Sequence, residues 1–171
     1  METLLKIDVV VANITNLDVE CIVNAANPSL LGGGGVDGAI HFAAGRQLYE
    51  ECKTLGGCEV GQSKITDAYK LSCKKIIHTV GPIWKGGTHN EDALLASCYK
   101  SSLKIASDYG LGTIAFPNIS TGVYRFPKEK AAKIAIDTIS ECITNNIYEG
   151  NVIICCYSDE DADIYNKLLE C

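Results

Sequence analysis

The sequence has no cluster of lysine or arginine, and 15 basic residues against 21 acidic ones leave a net charge of −6. Free DNA or RNA, which needs a basic face, is therefore a poor partner. No run approaches the roughly 20 apolar residues of a membrane span, and no secretory leader pattern is present. Among nine cysteines there is no Cys-x-x-Cys, and an odd number does not close into a disulfide framework. Cys21, Cys98, Cys142, Cys155 and Cys156 lie in apolar runs and read as reduced core residues of a cytoplasmic protein. Cys52 and Cys58 are too isolated to be metal ligands. The G-x-x-x-x-G-K-[ST] loop of triphosphate chemistry is missing, and Ser120 has no G-x-S-x-G around it. A G-x-G-x-x-G can be traced through Gly33, Gly35 and Gly38, but a glycine run meets that pattern by accident. No acidic residue closes a strand about 20 residues later, as a dinucleotide site requires. Repeats, low-complexity segments and inter-domain linkers are absent too.

What is present is organised around Cys21–Gly45. Cys21-Ile22-Val23 suits a buried strand. Asn27-Pro28 ends it, because the residue before proline is pushed out of the helical region. Gly32 to Gly35 follow, and from Ile40 the chain turns helical. Four consecutive glycines lose much entropy on folding. That loss makes sense where another object approaches the backbone closely, and the amides of such a loop at a helix start suit a phosphate.

At 171 residues, 47% hydrophobic and 21% charged, the chain reads as one domain with an ample core. Strands are predicted at Leu4–Val11, Cys21–Val23, Lys64–Tyr69, Lys75–Val80, Thr113–Pro117 and Asn151–Cys156, with the third and fourth as neighbours. Helices are predicted from Val36 to Cys52 with a break at Gly45, from an Asn90 cap with Glu91 and Asp92 matching the helix dipole, from Pro127, and from a Ser158/Asp161 capping box to Leu169. The acidic face of that last helix reads as solvated. Alternating elements that begin with two strands favour an α/β sandwich, a mostly parallel sheet with helices on both faces. Ligands then lie off the carboxyl ends of the strands. Asn27–Gly35 and Asn118–Tyr124 both leave such ends, and two amide-rich loops at one edge suit a diphosphate.

Asp37 and His41, four apart, share a helix face just past the glycine loop. An acid there can activate water, and an imidazole can orient it or shuttle a proton. A helix-start acid and a surface histidine would look the same, so spacing alone leaves both readings open. The Asn27 amide suits a sugar diol. His78, in an apolar strand, reads as a satisfied core histidine and His89 as a loop residue. Ser120 and Thr121 offer hydroxyls and amides to phosphate. Tyr124 and Tyr157 each follow a strand end, placed either for packing or to cover a base or ribose.

These residues resemble the macro domain family, in its MacroD-type hydrolase branch. The resemblance rests on N-A-A-N-P-S-L-L-G-G-G-G-V-D-G-A-I-H-F-A-A-G (Asn24–Gly45), I-I-H-T-V-G-P-I-W (Ile76–Trp84), N-E-D-A-L-L (Asn90–Leu95) and F-P-N-I-S-T-G-V-Y (Phe116–Tyr124). It implies a three-layer α/β/α sandwich with a mixed, mostly parallel sheet, spanning residues 1–171 as a single domain that binds ADP-ribose. In this branch it implies hydrolysis of O-acetyl-ADP-ribose and of mono-ADP-ribose esters on acidic side chains of proteins, with no metal or organic cofactor, by a cytoplasmic monomer without a membrane partner. A non-catalytic ADP-ribose reader is the alternative. By the resemblance, Asn27 holds the distal ribose, Asp37 acts on water and His41 supports Asp37 or the distal ribose. Gly33, Gly34, Gly35 and Val36 form one phosphate loop, and Ser120, Thr121, Gly122, Val123 and Tyr124 the other. Tyr157 lies against adenine, with Ile14 on the same side. Asn13 stands where the family usually has aspartate. Its side-chain oxygen is expected to accept from the adenine amino group without charge assistance, up to about tenfold more weakly. Arg125 replaces a usual glycine and is expected to point to solvent rather than over the diphosphate.

Overall fold

The structure, a computed structural model, describes residues 6–170. Chain order is β1 (Ile7–Val11), a 3-10 turn (Ile14–Asn16), β2 (Cys21–Ala26), α1 (Gly35–Ala44), α2 (Arg46–Thr54), β3 (Ser63–Asp67), β4 (Lys75–Val80), α3 (Glu91–Asp108), β5 (Thr113–Phe116), α4 (Lys128–Thr144), β6 (Asn151–Cys156) and α5 (Asp159–Leu169). Leu4 and Leu5 of the first predicted strand lie outside the described residues. The break at Gly45 is real: its φ of 93° separates α1 from α2, a conformation glycine adopts freely.

The strands form one sheet in the order β1-β6-β5-β2-β4-β3. Every pairing is parallel except β3 with β4. Alternate residues feed two cores, as strands covered on both faces must. Cys21, Val23, Ile77, Ile114 and Phe116 pack under α3, α4 and α5. Ile22, Ala26, Ile76, Val80 and Ala115 pack under α1 and α2. After β2 the chain moves toward the β4 edge, and after β5 toward the β6 edge. The crevice between those two strand ends is therefore the topological switch point of the sheet, where ligands of open α/β sheets sit. No helix among the described residues is long and apolar enough to cross a membrane.

Two expected helix starts differ. Pro127 stands just outside α4 rather than in its first turn. Asn90 does not cap α3 with its side chain, since it sits at φ 62° and makes no capping bond. The work falls to Glu91, which is not a solvated dipole partner but is 1% exposed. Its carboxylate accepts the amides of Lys85 and Gly87 at 2.8 Å and of His89 at 2.5 Å, tying the 85–89 loop to the helix. Burial acts to raise this carboxyl, but the backbone amides outweigh it and bring it down to about 2. A folded pKa below the unfolded one stabilises the fold above the ordinary value of 4.5, and that stabilisation is lost as pH falls toward 2. Glu91→Gln is expected to lower the melting temperature at neutral pH by about 5 °C and to flatten its acid dependence. Superimposable melting curves from neutral pH into acid would show that the loop does not depend on the charge.

Candidate functional site

The carboxyl ends of β2, β4 and β5 open onto a cleft lined by Asn27, Gly33 to Asp37, Gly81, Ser120 and Gly122 to Tyr124. It continues into a second, larger one lined by Asn13, Ile14, Val36, Thr121, Gly122, Lys128, Cys155, Cys156 and Tyr157. Gly35, Val36 and Gly122 line both, so the two form one trough. Every residue assigned to the site from the sequence lines this trough except His41, which stands directly behind Asp37.

Gly33–Val36 turns into the first turn of α1. Gly34 is the N-cap and has no side chain to bond the helix amides. A Cβ on Gly34 or Gly35 would meet nothing among the described residues within 4 Å, so the loop faces open cleft. Opposite, Ser120 adopts φ 66°, is buried, and leaves its Oγ without a partner among the described residues. A Cβ on Gly81 would run into that hydroxyl and into Ile119. The second loop is braced from outside by Trp84, whose amide donates to the Tyr124 carbonyl at 2.8 Å. Its rings meet Phe126 at 4.8 Å. Val123 and Tyr157, 91% and 94% exposed, project at the rim. Arg125 is exposed and lines neither part of the trough, as expected. It holds φ 61°, which accounts for a preference for glycine there.

Asp37 is 5% exposed. Its Oδ1 accepts from Asn24 Nδ2 at 2.9 Å and lies 3.5 Å from His41 Nε2. Its Oδ2 points to the glycine loop, because a Cβ on Gly33 would come within 3.2 Å of it and 3.4 Å of Asn27 Nδ2. Burial pushes the Asp37 carboxyl above its usual range, against the Asn24 bond and the nearby His41. The histidine is therefore no detached surface residue, and the acid is no exposed helix-start charge. An amide holds one oxygen of a carboxylate that burial pushes upward, an imidazole stands beside that oxygen, and the other oxygen faces the loop. That geometry suits a general base.

Asn27 lines the cleft, but much of its amide is already used. Nδ2 donates to the Gly32 carbonyl at 2.9 Å, and Oδ1 accepts from the Ser29 amide and hydroxyl at 3.2 and 2.6 Å. It shapes the loop as well as facing the cleft. Asn13 Oδ1, expected to accept from a base, already has partners within the protein. That oxygen takes the Thr15 amide at 3.0 Å and hydroxyl at 2.7 Å, so the remaining polar group is the Nδ2 donor. The α5 acidic face is not wholly solvated either. Asp161 pairs through its carboxylate with Lys128 at 2.8 Å at the trough wall.

Sequence reasoning missed Asn24, which is fully buried and touches both Asp37 and His78. A polar residue inside an otherwise apolar strand was the available signal. His78 is a satisfied core histidine, as read. Cys52 lies 3.9 Å from its Nε2, and the ligand atoms of His41, Cys52 and His78 fall within 4.8 Å of one another. Burial pushes the Cys52 thiol up to about 11, and His78 Nε2 is bonded to Thr66 at 2.9 Å. The cluster therefore reads as core packing.

A sequence model of the Macro domain matches residues 23–135. A macro domain-containing protein of Chlorobaculum tepidum is 58% identical over 92% of this chain and 92% of its own length. The O-acetyl-ADP-ribose deacetylase 1 of Pantoea vagans is 52% identical over 96% of this chain and 98% of its own. Among solved structures, the Oceanobacillus iheyensis macrodomain with ADP superposes with a TM-score of 0.91 at 43% identity, covering 95% of this chain and 88% of that one. The match runs through β2, the glycine loop, the helix carrying Asp37 and the Ser120 loop, the parts that build the trough, and on this evidence the chain belongs to the macro domain family.

Proposed function

We propose that the protein binds ADP-ribose along the trough and hydrolyses its esters, O-acetyl-ADP-ribose and mono-ADP-ribose on acidic side chains, in the cytoplasm. The single observation that carries this is the Asp37 carboxylate, buried and pushed upward in pKa, one oxygen turned to the glycine loop and the other held by Asn24 beside His41. The Pantoea relative's name and an Oceanobacillus iheyensis macrodomain variant with ADPR bound (TM-score 0.91, 42% identity) support the ligand and the reaction class.

The diphosphate lies between the amides of Gly33–Val36 and the Ser120–Tyr124 loop. Adenine sits against Tyr157 and Ile14, and the distal ribose by Asn27 and His41. Asp37 takes a proton from a water as its oxygen attacks the ester carbonyl. The C–O bond to the sugar then breaks, and the ribose oxygen leaves with a proton, giving ADP-ribose and the free carboxylic acid. No step calls on a metal or organic cofactor. Incubation with O-acetyl-ADP-ribose is expected to release acetate in step with ADP-ribose. Tight ADP-ribose binding with no acetate above the uncatalysed rate would make the protein a reader.

With Asn13 Oδ1 committed to Thr15, the base amino group meets a donor rather than an acceptor. Asn13→Asp supplies a second, charged oxygen and is expected to tighten ADP-ribose binding by about tenfold, a bond to a charged group being worth more than a neutral one. Calorimetry checks this, and equal affinities would remove Asn13 from the base contact.

A further inference from the structure

We propose that His78, backed by Thr66, is a positioning residue that sets the ionisation of Asp37 through the Asn24 amide. This rests on the reading of Asp37 as the group that takes the proton from water.

Asn24 and His78 sit directly opposite each other on the paired strands β2 and β4, and both are fully buried. Asn24 Nδ2 lies 2.9 Å from Asp37 Oδ1 and 3.1 Å from His78 Nδ1. A carboxylate only accepts, so the amide must present its NH₂ end there. Its second N–H then falls to His78 Nδ1, which must carry a lone pair. The ring proton is thereby placed on Nε2, where Thr66 Oγ1 accepts at 2.9 Å. The Thr66 hydroxyl passes its own proton to the Asp67 carbonyl at 3.1 Å. Each bond in this row fixes the direction of the next, and the row ends on the proposed base.

Asn24 Oδ1 has no partner among the described residues, although buried carbonyl oxygens are nearly always bonded. Turning the amide over would put that oxygen between a carboxylate and an imidazole lone pair. The fold thus tolerates one unbonded acceptor to keep both N–H groups where they are, and the Nδ1 lone pair is what favours this orientation from behind. Burial holds His78 down at about 3, so the ring stays neutral and the direction of the row persists at working pH. The other titratable groups around the pair are His41 of α1 and Cys52 of α2. His41 stands 6.3 Å from His78 between ring centres.

The test uses the full chain with His78→Leu, His78→Asn and Thr66→Val. Asparagine at 78 offers an oxygen near the Nδ1 position. Valine at 66 removes the acceptor that keeps the proton on Nε2, and it is close to isosteric. The readouts are the carboxyl ¹³C titration of Asp37 in the ligand-free protein, the acid limb of kcat with O-acetyl-ADP-ribose, and ADP-ribose affinity. His78→Leu and Thr66→Val are expected to move the Asp37 midpoint up by about 1 on the pH scale. The acid limb should move with it while affinity changes by less than about threefold, and His78→Asn should recover at least half of the displacement. An unmoved midpoint in folded Thr66→Val overturns the proposal, whatever His78→Leu does to folding. So does loss of affinity with the acid limb in place, the mark of a merely structural role. If the wild type releases no acetate yet the midpoint still moves, the coupling stands and the esterase reading alone fails.

Discussion

Asp37→Ala is expected to slow O-acetyl-ADP-ribose turnover by about 10²–10⁴-fold, the range for a lost general base, while ADP-ribose still binds within a few-fold. The two effects separate because the residues proposed to meet the diphosphate and the base line other parts of the trough. What alanine removes is the oxygen beside Gly33 and the partner of Asn24. The wild-type pH profile is expected to carry the same signature. Burial raises the carboxyl above its ordinary 3.8. The base is active when ionised, so activity is present above the raised midpoint and falls away as pH drops through it. Asp37→Asn keeps the volume and serves as the control for packing: both variants should lose turnover and the acid limb together. Wild-type turnover in either would remove Asp37 from the chemistry and return the site to binding alone.

Gly38→Ala is expected to weaken ADP-ribose binding by about 10- to 100-fold and to destabilise the fold by roughly 1–3 kcal/mol, the usual range for forcing a methyl into packed surroundings. Gly38 lies in the first turn of α1, and its amide bonds the Gly34 carbonyl at 3.2 Å. A Cβ there would stand 2.5 Å from the Gly33 carbonyl oxygen, which is backbone and cannot swing aside. Either the helix start or the loop must shift, and the loop is the element that lines the cleft. Gly34→Ala makes the complementary comparison. Its Cβ meets nothing among the described residues within 4 Å, so the fold should tolerate it and any loss of affinity would come from the ligand's own approach. Calorimetric titration with parallel melting curves separates the two. Unchanged affinity in folded Gly38→Ala would mean that the loop does not hold the diphosphate.

The sheet was readable because most strands are short apolar runs and several are bounded by Asn-Pro or glycine. Even the break at Gly45 and the β3–β4 pairing were open to pattern reasoning. The trough was readable through its glycines and through the strand ends that carry Asn27, Ser120 and Tyr157. What stayed hidden depends on side chains meeting across the fold. Asn90 offers a good capping residue, yet the buried Glu91 beside it does the holding, and no local pattern tells a buried glutamate from a dipole partner. Asn13 showed its substitution but not that Thr15 would consume its oxygen. Asn24 and His78 lie 54 positions apart, and their meeting is a matter of strand register, which propensity does not encode.

The cysteines carry a different consequence. All eight among the described residues are buried. Cys21, Cys98, Cys142 and Cys156 lie in one core and Cys52, Cys58, Cys73 and Cys155 in the other. Burial pushes every one of these thiols upward, Cys21 to about 12 and Cys98 to about 11. The thiolate is the form that alkylating reagents attack, so the closed molecule is shielded twice, by access and by protonation. Chemical labelling of these positions therefore proceeds through transient opening. The two helical layers act as separately tagged shutters, each reporting how often its own side of the sheet breathes.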